Sequence, residues 1–447
     1  MQLGPGFRMI EAAWGMCTIE FFLLVEDRNV TSNKVIGLSL AGVLFCATLA
    51  TAADWPQFRG PDRDGKSKET GLLREWPESG PPLLWEVDGL GEGYASAAIA
   101  GGLVYTTGMI DKDGFVFAFD LDGAPKWKTR YGAEWTKSYP ASRCTPTVED
   151  DRLYVTSGQG AIYCLHTGSG EIRWSLDAAQ KYRAKFPRWG MSENVLIDGD
   201  HVICTPGGEV ASIIALDKMT GEVVWECREL TQQSCYCNPI AITRGGNRLI
   251  VTMLADSVVG LDAATGKLLW RDDFDEYHVD RNRLVNANTP IYHEGCIYTT
   301  SGYENGGAML QLNADGTRAE RIWTDAVLYV HHGGVVLVDG YLYGSNWRSN
   351  SRGDWACLRW QDGKTMYDSK WNGNKGAVIY AEGMLYCCDE RTGDVGLVEA
   401  TPERFRVISR FAVTKGKGPF WAHPSIADGH LYLRRGEFLR AYDIRAK

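Results

Sequence analysis

The chain contains 447 residues, including 51 glycines and 16 tryptophans, and it has 23% charged residues and a formal net charge of -9. This aromatic content excludes a disordered protein, and the length exceeds what one small core needs. The acidic balance, without any basic block, excludes nucleic acid as an expected partner, because binding to a phosphate backbone depends on lysine and arginine. Length alone predicts roughly two to four domains, unless the chain is built from repeats.

The first 53 residues are predicted to lie outside the mature protein. Residues 35–50 are an apolar run that follows a lysine and ends at the first residue of an Ala-Thr-Ala sequence. This pattern is typical of a signal peptide cut near Ala52 or Ala53. The run is shorter than the roughly 20 residues that span a membrane. We therefore expect that the protein is not an integral membrane protein. Residues 1–29 lack signal-peptide features and are interpreted as a misassigned leader. The mature protein is therefore expected to be exported, either periplasmic or extracellular.

A short apolar motif recurs eight times in residues 83–447, after a segment (residues 54–82) that we expect to be extended. The copies align on Tyr105, Tyr154, Val202, Leu249, Tyr298, Tyr343, Tyr386 and Tyr432. The intervals between these positions run from 43 to 49 residues. Each period contains several short runs rich in Val, Ile, Tyr and Trp, bounded by turn residues. Periods of this length with four strands each are typical of β-propeller blades.

A turn motif follows the first motif within each period, and it ends in a tryptophan. The residues that end this motif are Trp127, Trp174, Trp225, Trp270 and Trp323. Tryptophan at blade spacing is expected to pack between neighbouring blades, since one ring buries a large apolar surface. The last copy stops before its tryptophan strand, whereas Pro81–Val87 supplies such a strand at the other end of the repeats. The sequence therefore predicts an all-β fold, an eight-bladed β-propeller of four-stranded antiparallel blades, with the ring closed by the N-terminal strand.

The spacing Asp-x-x-Thr-Gly-x-x-x-Trp, clearest at residues 217–225 and 262–270, resembles the repeat of the PQQ-like (quinoprotein alcohol dehydrogenase-like) propeller family. The opening DWPQFRGPDRDG at residues 54–65 resembles the start of secreted, planctomycete-type members. The resemblance implies one of two activities. One branch contains alcohol dehydrogenases that depend on calcium and pyrroloquinoline quinone (PQQ), and a non-enzymatic branch includes the outer-membrane-assembly propeller lipoprotein.

Aligning the eight copies also predicts which residues surround the mouth of the central channel. One ring consists of Tyr94, Arg143, Met191, Tyr236, Ala287, His332, Lys375 and Trp421. Two residues further along each strand, on the same face, lie Ser96, Thr145, Glu193, Asn238, Thr289, Gly334, Ala377 and His423. The simplest interpretation is that converging loops leave such polar residues facing water.

The resemblance gives some of these residues candidate roles. Glu193 and Asn238 are the candidate calcium ligands, because hard cations prefer oxygen donors. The candidates for binding an anionic quinone are Tyr94, Arg143, Asn238, Lys375 and Trp421. His332 or His423 is the candidate proton acceptor. No aspartate occupies either ring, so the base used by the dehydrogenases has no counterpart at a matching position.

Two hypotheses about function follow. The first is an exported binding or scaffold protein of the cell envelope, which holds an envelope protein, a polymer or a small molecule at the channel mouth and top loops. The alternative is a PQQ- and calcium-dependent dehydrogenase of an alcohol or polyol, of the polyvinyl-alcohol type. The adjacent Cys387 and Cys388 resemble a vicinal disulfide of the dehydrogenases, but they lie in a predicted strand, where they should face opposite sides.

Overall fold

The computed structural model describes residues 54–274, 278 and 285–446. The predicted leader and signal peptide lie outside these residues. The described chain forms 33 strands and one short helix. Its strands build eight sheets arranged as the blades of a propeller, each with four antiparallel strands, and β1 adds a parallel fifth strand to one of them. Among the described residues, no helix has the length and apolar character that crossing a membrane requires.

Two short strands precede the first blade, namely β1 (Lys66–Ser67) and β2 (Leu83–Val87). The first four blades follow in chain order. Blade 1 consists of β3 (Ala98–Ala100), β4 (Leu103–Ile110), β5 (Asp113–Asp120) and β6 (Pro125–Ala133), and blade 2 consists of β7 (Thr147–Glu149), β8 (Arg152–Thr156), β9 (Ala161–His166) and β10 (Ile172–Asp177). Blade 3 consists of β11 (Leu196–Asp198), β12 (His201–Cys204), β13 (Ile213–Asp217) and β14 (Val223–Cys227), and blade 4 consists of β15 (Ile240–Arg244), β16 (Asn247–Met253), β17 (Ser257–Asp262) and β18 (Leu268–Asp273). The helix α1 (Ala178–Tyr182) connects blades 2 and 3.

The last four blades repeat this order. Blade 5 consists of β19 (Ile291–His293), β20 (Cys296–Ser301), β21 (Gly306–Leu312) and β22 (Ala319–Asp325), and blade 6 consists of β23 (Val335–Val338), β24 (Tyr341–Ser345), β25 (Trp355–Arg359) and β26 (Thr365–Ser369). Blade 7 consists of β27 (Gly376–Ala381), β28 (Met384–Asp389), β29 (Asp394–Glu399) and β30 (Val407–Ala412). Blade 8 consists of β31 (Ser425–Ala427), β32 (His430–Arg435) and β33 (Phe438–Asp443) together with β2. First strands of neighbouring blades contact each other, for example β3 with β7 and β23 with β27, which places these strands around the central axis.

The eight aligned positions of the sequence repeat all lie in the second strand of a blade. Each is paired with a residue of the innermost strand; Tyr154 pairs with Thr147, for example, and Tyr343 pairs with Val336. The predicted eight-bladed propeller of four-stranded antiparallel blades is therefore confirmed.

Tryptophans join neighbouring blades, as the sequence predicts. The ring of Trp323 lies against Gly363 in the turn of the next blade. Five others donate the indole N–H to a main-chain oxygen of the next blade: Trp85 to Leu121 (2.7 Å), Trp127 to Thr167 (2.8 Å), Trp174 to Lys218 (3.2 Å), Trp225 to Ala263 (3.1 Å) and Trp270 to Gly316 (3.1 Å).

The turn that receives each tryptophan needs a glycine. Gly266 has a φ of +70°, which L side chains rarely adopt, and a Cβ there would lie 2.3 Å from Trp225. Asp262 supports the same turn because its Oδ1 accepts a hydrogen bond from the amide of Thr265 (2.9 Å). The turn motif is thus the docking site for the preceding blade.

Strand β2 closes the ring, which confirms the second part of the fold prediction. It pairs antiparallel with β33 as the outer strand of blade 8, with Trp85 opposite Ala441. Glu86 of β2 also accepts hydrogen bonds from Arg440 (2.7 Å) and Lys415 (2.7 Å). The two ends of the repeat region therefore share one sheet, and no blade is left with three strands.

The adjacent cysteines of blade 7 face different neighbours. Cys387 packs with Val336 and Trp355, whereas Cys388 packs in the cluster that contains Leu433. Both are free thiols, as are the other eight cysteines of the described chain. The expectation that two strand cysteines point to opposite sides is confirmed.

We expect replacement of Trp225 by alanine to lower the free energy of unfolding by about 3–5 kcal/mol, because a blade interface loses a large buried side chain. Its neighbour Val224 lies on the other face of β14 and is 47% exposed, so Val224→Ala is a matched control with little effect. Thermal denaturation followed by circular dichroism measures both. Equal thermal midpoints for the two variants would contradict the role assigned to the tryptophan.

Candidate functional site

A cavity of about 230 Å³ opens at the end of the ring where the innermost strands begin. We call this end the top face and the cavity the cup. Seven of the eight residues predicted to surround the channel mouth line it: Tyr94, Arg143, Tyr236, Ala287, His332, Lys375 and Trp421. The eighth, Met191, is buried beside Gly160 and does not line the cup. Of the second ring, Asn238 and His423 reach the cup.

Aromatic rings form one wall of the cup. The ring of Trp421 lies 4.7 Å from that of Tyr94, 5.1 Å from that of Tyr139 and 5.1 Å from that of His332. Tyr139 is 51% exposed and stands at the rim. This wall offers flat apolar surface to a ring-shaped ligand.

Arg143 supplies a cation beside that wall. Its guanidinium donates to the main-chain oxygens of Ala141 (2.9 Å), Ser138 (3.3 Å) and Tyr139, and it lies 5.9 Å from the ring of Tyr94. Burial lowers its pKa, yet an arginine stays charged at neutral pH. Within the described part of the chain, no carboxylate lies within ion-pair distance of it. Among the described residues, three of its five N–H groups have a protein acceptor and two have none.

Glu390 is a cup residue that the sequence analysis missed. Its carboxylate pairs with Lys375 and accepts a hydrogen bond from the indole of Trp421 (3.1 Å), and it lies 3.4 Å from His332 Nε2. Burial raises the pKa of Glu390, an effect that Lys375 opposes. Glu390 follows β28 directly, so extending the repeat alignment to the ends of the second strands would have identified it.

The loop at residues 347–355 lies beside this group. Lys375 Nζ donates to the main-chain oxygens of Ser349 (3.3 Å) and Asn350 (3.0 Å), and Asn350 lines the cup. Lys375 is therefore held by one carboxylate and two carbonyls, which satisfies its charge without a ligand.

The two candidate proton acceptors are neutral at physiological pH. Burial lowers the pKa of His423 to about 3 and places that of His332 well below its usual value. His423 Nε2 lies 2.8 Å from the oxygen of His332, and its Nδ1 lies 3.4 Å from Arg59 Nη1. Since both nitrogens of His423 have partners, the ring is fixed in orientation. A catalytic role for either histidine stays a prediction.

Glu193 and Asn238, the candidate calcium ligands, lie in adjacent blades but turn their oxygens to the protein. The carboxylate of Glu193 accepts from the amides of Tyr236 (2.6 Å) and Ser192 (2.9 Å). Asn238 Oδ1 accepts from the amide of Asn194 (2.6 Å) and from its side chain (2.9 Å). A cation would have to displace these donors. Among the described residues, no group of three or more His, Cys, Asp or Glu is arranged to hold a metal.

The floor of the cup comes from the N-terminal segment, which the sequence analysis expected only to be extended. Phe58 lines the cup, with its ring 4.7 Å from that of His423. Arg59 lies below it and is fully buried. The repeat alignment begins at residue 83 and carried no information about this contact.

Glu134 anchors the loop that carries Tyr139 and Arg143. Its carboxylate accepts hydrogen bonds from the hydroxyl of Tyr131 and from the amides of Gly158 (2.7 Å) and Trp135 (3.3 Å). Burial raises the pKa of Glu134 to about 7, although these hydrogen bonds oppose the shift. The folded protein therefore retains a proton on Glu134 at pH values where the unfolded chain has released it.

An eight-bladed ring joined by tryptophans, with a polar cup at its channel mouth, defines a PQQ-like propeller. The model of the family described as outer membrane protein assembly factor BamB matches residues 112–369. Because this match covers more than half of the chain, the protein belongs to that family.

Curated relatives include both kinds of protein in this fold group. A polyvinylalcohol dehydrogenase of Pseudomonas sp. is 28% identical over 32% of this chain, and one of Sphingopyxis sp. is 25% identical over 55%. The matched regions span 24% and 39% of those two proteins. Outer membrane protein assembly factor BamB of Kangiella koreensis is 27% identical over 46% of this chain and 48% of its own length.

Solved structures show the shared fold. BamB from Moraxella catarrhalis has a TM-score of 0.57 at 17% identity, covering 82% of this chain and 98% of its own. The quinohemoprotein alcohol dehydrogenase from Comamonas testosteroni has a TM-score of 0.61 at 12% identity, covering 88% of this chain and 81% of its own. At these identities the likeness concerns architecture alone.

Glu134 predicts a specific pH dependence of stability. The contribution of protonated Glu134 to the free energy of unfolding is fully present below the usual glutamate pKa, and it is lost as the pH rises through about 7. Glutamine mimics the protonated acid, so we expect Glu134→Gln to gain stability relative to the native chain between pH 5 and pH 8, by up to about 3 kcal/mol. Thermal midpoints measured across this range test the difference, and a constant difference would contradict it.

Proposed function

We propose that this protein is an exported binding protein of the bacterial cell envelope that holds an anionic, ring-containing ligand in its cup. The ligand is either a free small molecule or the end group of an envelope protein or polymer. The observation that carries the proposal is Arg143, a fixed and partly buried cation with unused donors beside the aromatic wall.

The charge balance inside the cup supports an anionic ligand. Lys375 and Glu390 neutralise each other, and the buried histidines are neutral because burial lowers the pKa of His331 to about 3 and that of His423 to the same range. Arg143 is therefore the cation among the described cup residues that has no ion-pair partner, although the charge of Glu134 acts on it from a longer distance. A ligand anion would restore neutrality and take up the two free N–H groups.

An envelope location is supported by the family and by the predicted signal peptide at residues 35–50. Relatives named as outer membrane protein assembly factors belong to the envelope by that description. The partner of the top face would then be an envelope component that presents an anionic group to the cup.

A second candidate function is a quinone-dependent dehydrogenase, and the similarity to two polyvinylalcohol dehydrogenases favours it. PQQ, when bound, supplies the electron acceptor for oxidation of an alcohol. Trp421, Tyr94 and Arg143 offer the flat faces and the cation that a flat polyanion needs. A calcium ion does not fit the present arrangement, because the oxygens of Glu193 and Asn238 already accept main-chain hydrogen bonds.

The binding proposal is tested by isothermal titration of the full chain with biphenyl-4-carboxylate and with its neutral carboxamide. We expect the acid to bind at least about tenfold more tightly, because a charge-assisted hydrogen bond contributes about 1.5–3 kcal/mol. Arg143→Met should remove this preference. Arg173→Met, which removes the same charge from the exposed face of blade 2, is the control and should keep it. A preference that survives in Arg143→Met would refute the assignment.

The dehydrogenase candidate is tested by titrating the full chain with PQQ, with and without calcium, and by dye-linked oxidation of polyvinyl alcohol. We expect PQQ to bind without a calcium requirement and at least about tenfold more weakly in Arg143→Met. Under this candidate, dye reduction also depends on bound PQQ and falls in Trp421→Ala. Trp360→Ala, at an outer turn of blade 6, serves as the control. If PQQ binds but no dye is reduced, the dehydrogenase activity is refuted and only a binding function is left.

A further inference from the structure

The N-terminal segment crosses the central axis beneath the cup. The amide and oxygen of Trp55 pair with Ile99 of blade 1, each at 2.9 Å, and the oxygen of Pro56 accepts from Val148 of blade 2 (2.9 Å). At the other end of the segment, the oxygen of Gly65 accepts from the amide of Tyr380 in blade 7 (2.8 Å), and β1 then pairs parallel with β27. The main chain of residues 54–67 therefore contacts the innermost strands of blades 1, 2 and 7, and the side chain of Arg63 reaches across the ring to blades 3 and 4.

Two buried arginines fasten this segment to four other blade positions. Arg59 donates to the main-chain oxygens of Val335 in blade 6 and Val378 (3.4 Å) in blade 7. Arg63 donates to the oxygens of Val195 before β11 and Pro239 (3.1 Å) before β15. Burial lowers the pKa of Arg59 to about 10 and that of Arg63 to about 9, so both remain charged at neutral pH.

The surrounding backbone is shaped to admit the Arg59 guanidinium. A Cβ at Gly334 would lie 1.8 Å from Arg59 Nη1, and one at Gly65 would lie 2.5 Å from Nη2. Both glycines also have positive φ values, +75° and +76°. The channel wall and the segment thus fit each other closely, which distinguishes this segment from a loosely attached terminus.

We propose that residues 54–67 form a plug that closes the lower end of the cup, and that Phe58 on the upper surface of this plug is a residue that determines ligand specificity. The inference rests on the proposed binding function of the cup. A cup closed at its lower end admits a small molecule or the end of a polymer from the top face. It excludes a chain that would pass through the whole central channel. Phe58 sets the depth to which the ligand enters.

The plug is tested without any ligand, by hydrogen–deuterium exchange of the full chain. Peptides covering residues 54–67 should be protected in the native chain and should exchange at least tenfold faster in the Arg59→Met, Arg63→Met double variant. Peptides covering β16 should be unchanged in both, which shows that the ring stays folded. Exchange of residues 54–67 at the rate of a free chain in the native protein would overturn the plug.

The role of Phe58 is tested with rigid probes of increasing length: benzoate, biphenyl-4-carboxylate and terphenyl-4-carboxylate. In Phe58→Ala, the affinity for the terphenyl acid relative to benzoate should rise at least tenfold over the native ratio. Phe58→Leu retains most of the volume and should keep the native ratio. An unchanged ratio in Phe58→Ala would overturn the role of Phe58. If none of the acids binds the native chain, the cup proposal and the role of Phe58 fail together, whereas the exchange result still decides the plug.

Discussion

Closure of the ring is the constraint on which the rest of this structure depends. Every blade buries both of its faces against neighbours, so an incomplete blade would expose an apolar face and an unpaired edge. Strand β2 removes both by joining β33, and the contacts of Glu86 with Arg440 and Lys415 hold it there. Closure also fixes the path of the residues before β2. They run from the outer edge of blade 8 back to the axis, and so they are available to form the floor of the cup.

The axis contains several buried cations, and the protein satisfies them in different ways. Arg59 donates to main-chain oxygens of innermost strands, and Arg63 donates to main-chain oxygens just before two others. Lys375 is paired with Glu390, a carboxylate buried beside it. A buried charge without such partners is costly. Arg143 differs because carbonyls fix its geometry while part of the guanidinium remains open to the cup, and this combination makes it the centre of the proposed ligand site.

The same ring supports proteins with different names and activities, and the contacts within the cup explain how this is possible. Blade packing depends on the tryptophan and turn motifs, which lie far from the channel mouth. The fold by itself does not set the activity, which depends on the residues at the mouth. In this chain the carboxylate of Glu193 accepts a hydrogen bond from the backbone of the next blade, a role different from binding a cation. His423 links the plug to the loop that contains His332, just before β23.

The sequence by itself determined the number of blades, the tryptophan interfaces, the closing strand and most of the residues at the channel mouth. These features follow from strand register and repeat spacing, which are local properties. Tertiary structure decided which way the side chains at the mouth point and which groups of the protein they contact. The contact between Glu390 and Trp421, the turn of Glu193 toward the amide of Tyr236, and the insertion of Phe58 and Arg59 into the channel join distant parts of the chain. No periodic pattern specifies such contacts, because each depends on a single non-repeated residue meeting a surface that exists only after the ring has closed.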